Sequence, residues 1–281
     1  MADVIDRVLL WDVDGTLLRA GPVAVRVFDE AVQEVLGQSV AHIRVVMSGK
    51  TDPQIISEYL VALGLPTDEE VITAVAEALG RKLAEAAPEL AEDTRVMPGV
   101  REALAFLATD PQVISSVLSG NIATNARVKV AAVGLDRFLD LEVGAYGSDS
   151  ADRRDLVDIS LGRIAALRGE DVRADQAWVI GDTPLDLACA TWAGAHCALV
   201  GTGKTPAADM RGLGADVVWE DLSDTATVLG VLTGGAQLDP AFLAKGRFVA
   251  ERSLPGSLSE GGPLLPEGTL LPDGEGSGGW H

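Results

Sequence analysis

Residues 7–17 read RVLLWDVDGTL. An unbroken apolar run, Val8 to Trp11, stops abruptly at two aspartates, Asp12 and Asp14, and then at Gly15. So short a run bounded by acid predicts a strand buried on both faces. Side chains at i and i+2 of a strand share a face, so Asp12 and Asp14 project together from its carboxyl end. Gly15 permits a sharp exit of the backbone there. Two neighbouring carboxylates repel each other, and the arrangement makes sense when a cation lies between them. The bland alternative is an Asx turn that merely caps the strand.

Working outward, residues 22–90 are rich in Ala, Val, Leu and Glu, with apolar residues at helical spacing in PVAVRVFDEAVQEVLG, DPQIISEYLVALG and TDEEVITAVAEALGRKLAEAA. Asp52-Pro53 supplies an N-cap and a proline at the first helical position, and Thr67 to Glu70 resembles a capping box. This region is expected to be all-helical. After Met97-Pro98-Gly99 the pattern becomes strand and helix in alternation. Strands are predicted at 113–118, 139–145, 177–181, 195–201 and 215–219, and helices at 99–109, 122–133, 154–168, 184–193, 206–212 and 222–232. Such alternation predicts an open parallel α/β sheet with right-handed crossovers. The fold class is thus a Rossmann-like parallel sheet core with an inserted all-helical domain. Residues 1–18 and 96–235 would form the core, 19–95 the insert, and 236–281 an extension, rich in Gly, Pro and Glu and largely disordered from about 255.

Three more groups fall where predicted strands end. Gly181-Asp182-Thr183-Pro184-Leu185-Asp186 follows the strand AWVI. Asp182 is placed to join the same cation site. Asp186 is either N3 of a capping box begun by Thr183 or a further acid of that site. Ser119-Gly120-Asn121 opens a helix, where a hydroxyl and free N–H groups make an anion site. Asp152-Arg153-Arg154-Asp155 supplies cations at the start of another helix. All four groups would converge on one edge of the sheet, where open α/β sheets bind ligands.

This ordered set resembles the four motifs of the haloacid dehalogenase-like hydrolase superfamily, and the helical insert is similar to the cap of its phosphoglycolate phosphatase-like subgroup. MPGVREALAFL resembles that subgroup's return into the core. The resemblance spans about residues 5–235. It implies a phosphomonoesterase in which Asp12 is the nucleophile and Asp14 the general acid and base. It further implies Mg²⁺ held by Asp12, Asp14 through its main-chain carbonyl, and Asp182, with Asp186 in support. Thr16, Ser119, Gly120, Asn121 and Arg153 would bind the phosphoryl group. The chain departs from the family at the third motif, where lysine is usual: none of Lys50, Lys82, Lys129, Lys204 and Lys245 stands there. Arg153 takes the role, with Arg154 as the alternative. The insert's contact loop is read as Met47 to Asp52, with Gly49 at its turn and Lys50 either reaching a substrate anion or lying in solvent.

Charge narrows the partners. The 281 residues carry 22 basic and 42 acidic side chains, a net −20, which repels nucleic acid and anionic membrane surfaces alike. A small phosphorylated metabolite remains compatible where a metal and a basic side chain are fixed locally. Two cysteines, Cys189 and Cys197, lie in apolar surroundings and are expected reduced. With no signal-like start and no long apolar run, a cytoplasmic location is expected. GTGKT at 201–205 imitates part of a nucleotide-binding loop, but position 198, where the first glycine belongs, is Ala, and Thr205-Pro206 reads as an N-cap and first helical residue. A sugar-phosphate mutase would share all four motifs. A non-catalytic binding protein on this fold would be marked by loss of Asp12, Asp14 or Asp182, and all three are present.

Overall fold

The computed structural model describes residues 5–234. The proposed extension at 236–281 therefore lies outside the described residues. Six parallel strands form one sheet in the order β5-β4-β1-β6-β7-β8. They are β1 (Arg7–Trp11), β4 (Val113–Ser119), β5 (Ala145–Tyr146), β6 (Ala177–Gly181), β7 (His196–Val200) and β8 (Val217–Trp219). β1 is central, paired with β4 on one side and β6 on the other.

Strand periodicity sorts its side chains between two cores. Leu9 and Trp11 join a cluster with Val117, Trp178 and Ile180, covered by α5 (Val100–Leu107), α6 (Ala123–Ala132) and α10 (Thr225–Leu232). Val8 and Leu10 join Leu118, Val179 and Leu199 beneath α7 (Leu156–Arg168), α8 (Pro184–Ala193) and the short α9 (Ala207–Met210). A sheet covered on both faces explains why β1 is an unbroken apolar run instead of an alternating one.

Four helices lie between residues 19 and 95, after β1 and ahead of α5: α1 (Pro22–Leu36), α2 (Asp52–Ala62), α3 (Glu69–Glu85) and α4 (Ala87–Asp93). They enclose their own apolar cluster, with Phe28, Val32, Ile56, Leu79 and Leu83 buried in it. At its base β2 (Leu18–Arg19) pairs antiparallel with β3 (Arg95–Val96). That two-residue ladder is too short to leave a periodicity in the sequence. Thr51 caps α2 through a full capping box with Gln54, so Asp52 is the first helical residue and not the cap.

Several expected elements need correction. Residues 37–51 are not helical: Gly37, with φ +67°, ends α1, and the β-branched stretch after it runs irregularly to α2. Of the strand expected at 139–145, only Ala145 pairs, together with Tyr146. The backbone before it is held otherwise: Asp140 N–H donates to Ser115 O at 2.8 Å, and Asp140 O accepts from the Ser116 hydroxyl at 2.6 Å. Leu141 O accepts from Arg127 and from the Tyr146 hydroxyl. The helix expected at 206–212 shrinks to α9, because Gly212 and Gly214 take φ of +92° and +106°. Pro206, not Thr205, stands at its N-cap.

Candidate active site

The carboxyl ends of β1, β4 and β6 meet, and the acids meet there. Asp12 extends the β1 ladder by one bond, its N–H donating to Ile180 O at 2.8 Å. Its side chain is buried and points to Arg153, whose Nη2 lies 3.1 Å from Asp12 Oδ1. One carboxylate oxygen each from Asp12, Asp182 and Asp186 falls within 4.8 Å of the others. Burial pushes the Asp12 carboxyl up to about 7, with the charges of Asp186 and Asp14 adding to it and Arg153 opposing. Burial likewise raises Asp182 to about 8, helped by Asp12 and Asp186.

Asp186 forms the capping box and also faces the acid cluster. Its Oδ2 closes the capping box of α8, accepting from Thr183 N at 3.0 Å and from the Thr183 hydroxyl at 2.7 Å. Its Oδ1 accepts from Arg153 Nη2. Both oxygens are thus engaged, whereas among the described residues Asp182 receives only the Thr16 hydroxyl, at 3.3 Å. The oxygens open to a cation therefore belong mainly to Asp12 and Asp182, and Asp186 stands behind them holding Arg153. Three carboxylates and one guanidinium leave two negative charges in a buried, all-oxygen setting. A single hard divalent cation fits that donor set.

The glycines around Asp182 keep it in place. Gly15 has φ +97°, and a Cβ there would lie 2.5 Å from Asp182 Oδ2. At Gly203 a Cβ would lie 1.6 Å from the same oxygen. The loop GTGKT is therefore a wall of this site, a role its sequence did not disclose. Its Thr202 hydroxyl donates to Gly15 O at 2.5 Å, and Thr202 O accepts from Arg19 at 2.7 Å.

The two neighbouring arginines point in opposite directions. Residues 153–155 form a short 3-10 turn ahead of α7. It turns Arg153 inward, 7% exposed, and Arg154 outward onto Asp152 and the Trp192 ring. Burial opposes the Arg153 charge, but Asp186 and Asp12 outweigh it and raise its pKa.

Ser119 is buried at the end of β4. Its Oγ accepts from Asn121 N at 3.2 Å and Asn121 Nδ2 at 2.9 Å, leaving its own proton without an acceptor among the described residues. The N–H groups further into the turn are not free for an anion, contrary to the sequence expectation. Ile122 N donates to Asp52 at 2.8 Å and Ala123 N to the Ser148 hydroxyl at 3.2 Å. Asp52 is itself buried, and that burial lifts its carboxyl to about 6.

The insert's contact loop does reach the core. Asp52 N donates to Gly120 O at 2.7 Å, and a Cβ on Gly120 would strike Lys50 O at 2.1 Å. Gly49, at φ +73°, packs on Thr183 and Leu185 and accepts from Arg153 Nη1 at 3.4 Å. Lys50 is half-buried, and its ammonium pairs with Glu58 at 2.6 and 2.8 Å. Sequence reasoning missed Lys129, which reaches Asp14 from α6. The signal was available: Asn125, Ala126, Lys129 and Val130 share the buried face of α6. Cys189 and Cys197 are free, buried thiols, and burial pushes Cys189 up to about 12. Among the described residues no helix is long and apolar enough to cross a membrane.

Comparison with known proteins agrees with this arrangement. Residues 9–191 match the family model of the haloacid dehalogenase-like hydrolases. No curated protein sequence gives a significant match. Among solved structures, a putative beta-phosphoglucomutase from Bacteroides vulgatus superposes with a TM-score of 0.59 at 17% identity, over 84% of this chain and 92% of its own. A predicted phosphoglycolate phosphatase from Haemophilus somnus 129PT gives 0.54 at 16%, over 80% and 97%. CbbY from Rhodobacter sphaeroides, in complex with phosphate, gives 0.54 at 19%, over 78% and 96%. At these identities the likeness is one of fold. The family match runs from within β1 to within α8 and takes in every carboxylate gathered above, so the chain belongs to the haloacid dehalogenase-like hydrolases.

Proposed function

We propose that the chain is a Mg²⁺-dependent phosphatase of a small phosphomonoester, with residues 1–18 and 96–235 as its catalytic core and 19–95 as a cap. The observation that carries this reading is Asp12: a buried carboxylate at the end of the central strand, beside Arg153 and within 4.8 Å of Asp182. Asp12 attacks phosphorus, the bond to the leaving alkoxide breaks, and Asp14 gives that oxygen a proton. Asp14 then takes a proton from water, which attacks the aspartyl-phosphate, releases phosphate and restores Asp12. Ser119 with its unspent proton, the Gly120–Asn121 backbone, Thr16 and Arg153 hold the phosphoryl oxygens as charge shifts among them. Asp12, Asp182 and the Asp14 carbonyl would hold Mg²⁺, which when bound neutralises the acids and polarises the phosphoryl group. The Gly49 loop, seated on Arg153 and Gly120, would close over the substrate and keep water out of the first step.

A mutase remains the second reading, since it uses the same core and the neighbours include a putative beta-phosphoglucomutase. A panel of phosphorylated metabolites, assayed for phosphate release with and without Mg²⁺, separates the two. Metal-dependent release is expected. Isomerised ester without free phosphate would instead assign a mutase, and no reaction from folded protein would sink both.

Gly203→Ala tests the wall around Asp182. The displaced carboxylate should weaken Mg²⁺ activation by about 10- to 100-fold, as losing a support behind a metal ligand does. A Mg²⁺ titration of activity superposable on wild type would refute the assignment of Asp182 to the metal.

A further inference from the structure

Lys129 has no part in the chemistry above, yet it is 8% exposed in the middle of a helix face packed on the core. A buried ammonium is costly unless paired and hydrogen-bonded. Its partners are both at the site: Asp14 Oδ2 at 2.5 Å and Asn121 Oδ1 at 2.6 Å. Asn121 closes the triangle, donating from Nδ2 to the same Asp14 oxygen at 2.7 Å and to Ser119 Oγ at 2.9 Å. The two oxygens of Asp14 are therefore unequal. Oδ2 accepts two hydrogen bonds, one of them charge-assisted, whereas Oδ1 accepts none among the described residues. The Asp14 side chain is also 41% exposed, against 6% for Asp12, so it needs an external hold that Asp12 does not.

We propose that Lys129 is a positioning residue: with Asn121 it grips Asp14 by Oδ2, fixing the side chain so that Oδ1 passes the proton to and from the reacting oxygen. This rests on the phosphatase reading. It assigns Lys129 a role distinct from Arg153, which serves Asp12 and Asp186 on the other side of the site.

An aryl phosphate series, from 2,4-dinitrophenyl to unsubstituted phenyl, isolates proton donation. The activated phenolate departs unaided, whereas phenoxide needs the acid. The ratio kcat/KM covers steps only up to departure, so the later action of Asp14 as a base does not enter. In Lys129→Met, kcat/KM for phenyl phosphate should fall about 100-fold, the scale of general acid catalysis, and for the dinitrophenyl ester less than about threefold. Asp14→Asn should show the same steepened dependence on the leaving group, and Lys129→Arg should recover most of the loss. A merely structural lysine would lower both esters alike, and that result overturns the proposal. So does a failure of Lys129→Met, Lys129→Gln and Lys129→Arg all to fold, since it would place the residue in the core's stability alone. Wild-type protein inert toward the metabolite panel and this series would instead sink the phosphatase reading itself.

Discussion

Asp12→Asn is expected to abolish turnover and, in metal-free protein, to raise the melting temperature. The first effect follows from removing the nucleophile: an amide neither attacks phosphorus usefully nor carries the charge a divalent cation requires, so a loss of about 10⁴-fold or more is expected. The second follows from crowding. Asp12, Asp182 and Asp186 share one buried site with a single guanidinium, and burial raises Asp12 to about 7 and Asp182 to about 8. An acid whose folded pKa lies above its unfolded value near 4 stabilises the fold when protonated. That stability is full below the unfolded pKa and is lost as pH rises through the folded one. In EDTA the wild type should therefore lose stability between pH 5 and pH 8, by a few kcal/mol. Asp12→Asn should flatten that slope, and Mg²⁺ should restore wild type at pH 8 without helping the variant. Melting curves at the two pH values, with EDTA and with Mg²⁺, give all four comparisons. A wild type whose metal-free stability does not fall toward pH 8 would refute the crowding argument, whatever the activity.

How much of this was legible beforehand depended on whether a side chain's direction follows from its element. Asp12 and Asp182 directly follow apolar runs long enough to be strands, and a strand's end fixes where its next side chain goes. The parallel sheet was therefore readable, and so was the meeting of these acids, whereas the central place of β1 came only with the strand order. Arg153 and Arg154 were not separable, because the 3-10 turn at 153–155 precedes the α-helix and changes the angle per residue. Lys129 was passed over because it was sought at one motif position, although its helix face was already in the sequence. The 139–144 segment has the alternation of a strand, yet its carbonyls are taken by Arg127, Arg163, Ser116 and Tyr146 from distant positions. Partners so far apart leave no local signature. The same holds for Gly203, whose need for glycine comes from Asp182, a residue on another loop.

Arg153→Met should be the most destabilising single change at the site. The guanidinium is the cation shared by two buried carboxylates, Asp12 and Asp186, and Asp186 also caps α8. Removing one partner of a buried pair strands the other charge, at about 3–5 kcal/mol. The loss should be larger at pH 8 than at pH 5, where Asp12 can take up a proton instead. Activity should fall about 10²- to 10³-fold as well, since a donor to the phosphoryl oxygens goes with it. Adding Asp186→Asn removes one of the stranded charges, so the double variant should be destabilised by less than the sum of the two single changes. Arg153→Lys retains the charge but not the fork, which now reaches Asp12, Asp186 and the Gly49 carbonyl together. It should keep most of the stability and lose part of the rate, because a lysine can hold the acids while releasing the loop that covers them. Denaturant unfolding of the wild type and these four variants at both pH values measures these terms. Simple additivity of Arg153→Met and Asp186→Asn would mean that the two do not act as a unit, and that Asp186 belongs to the helix cap alone.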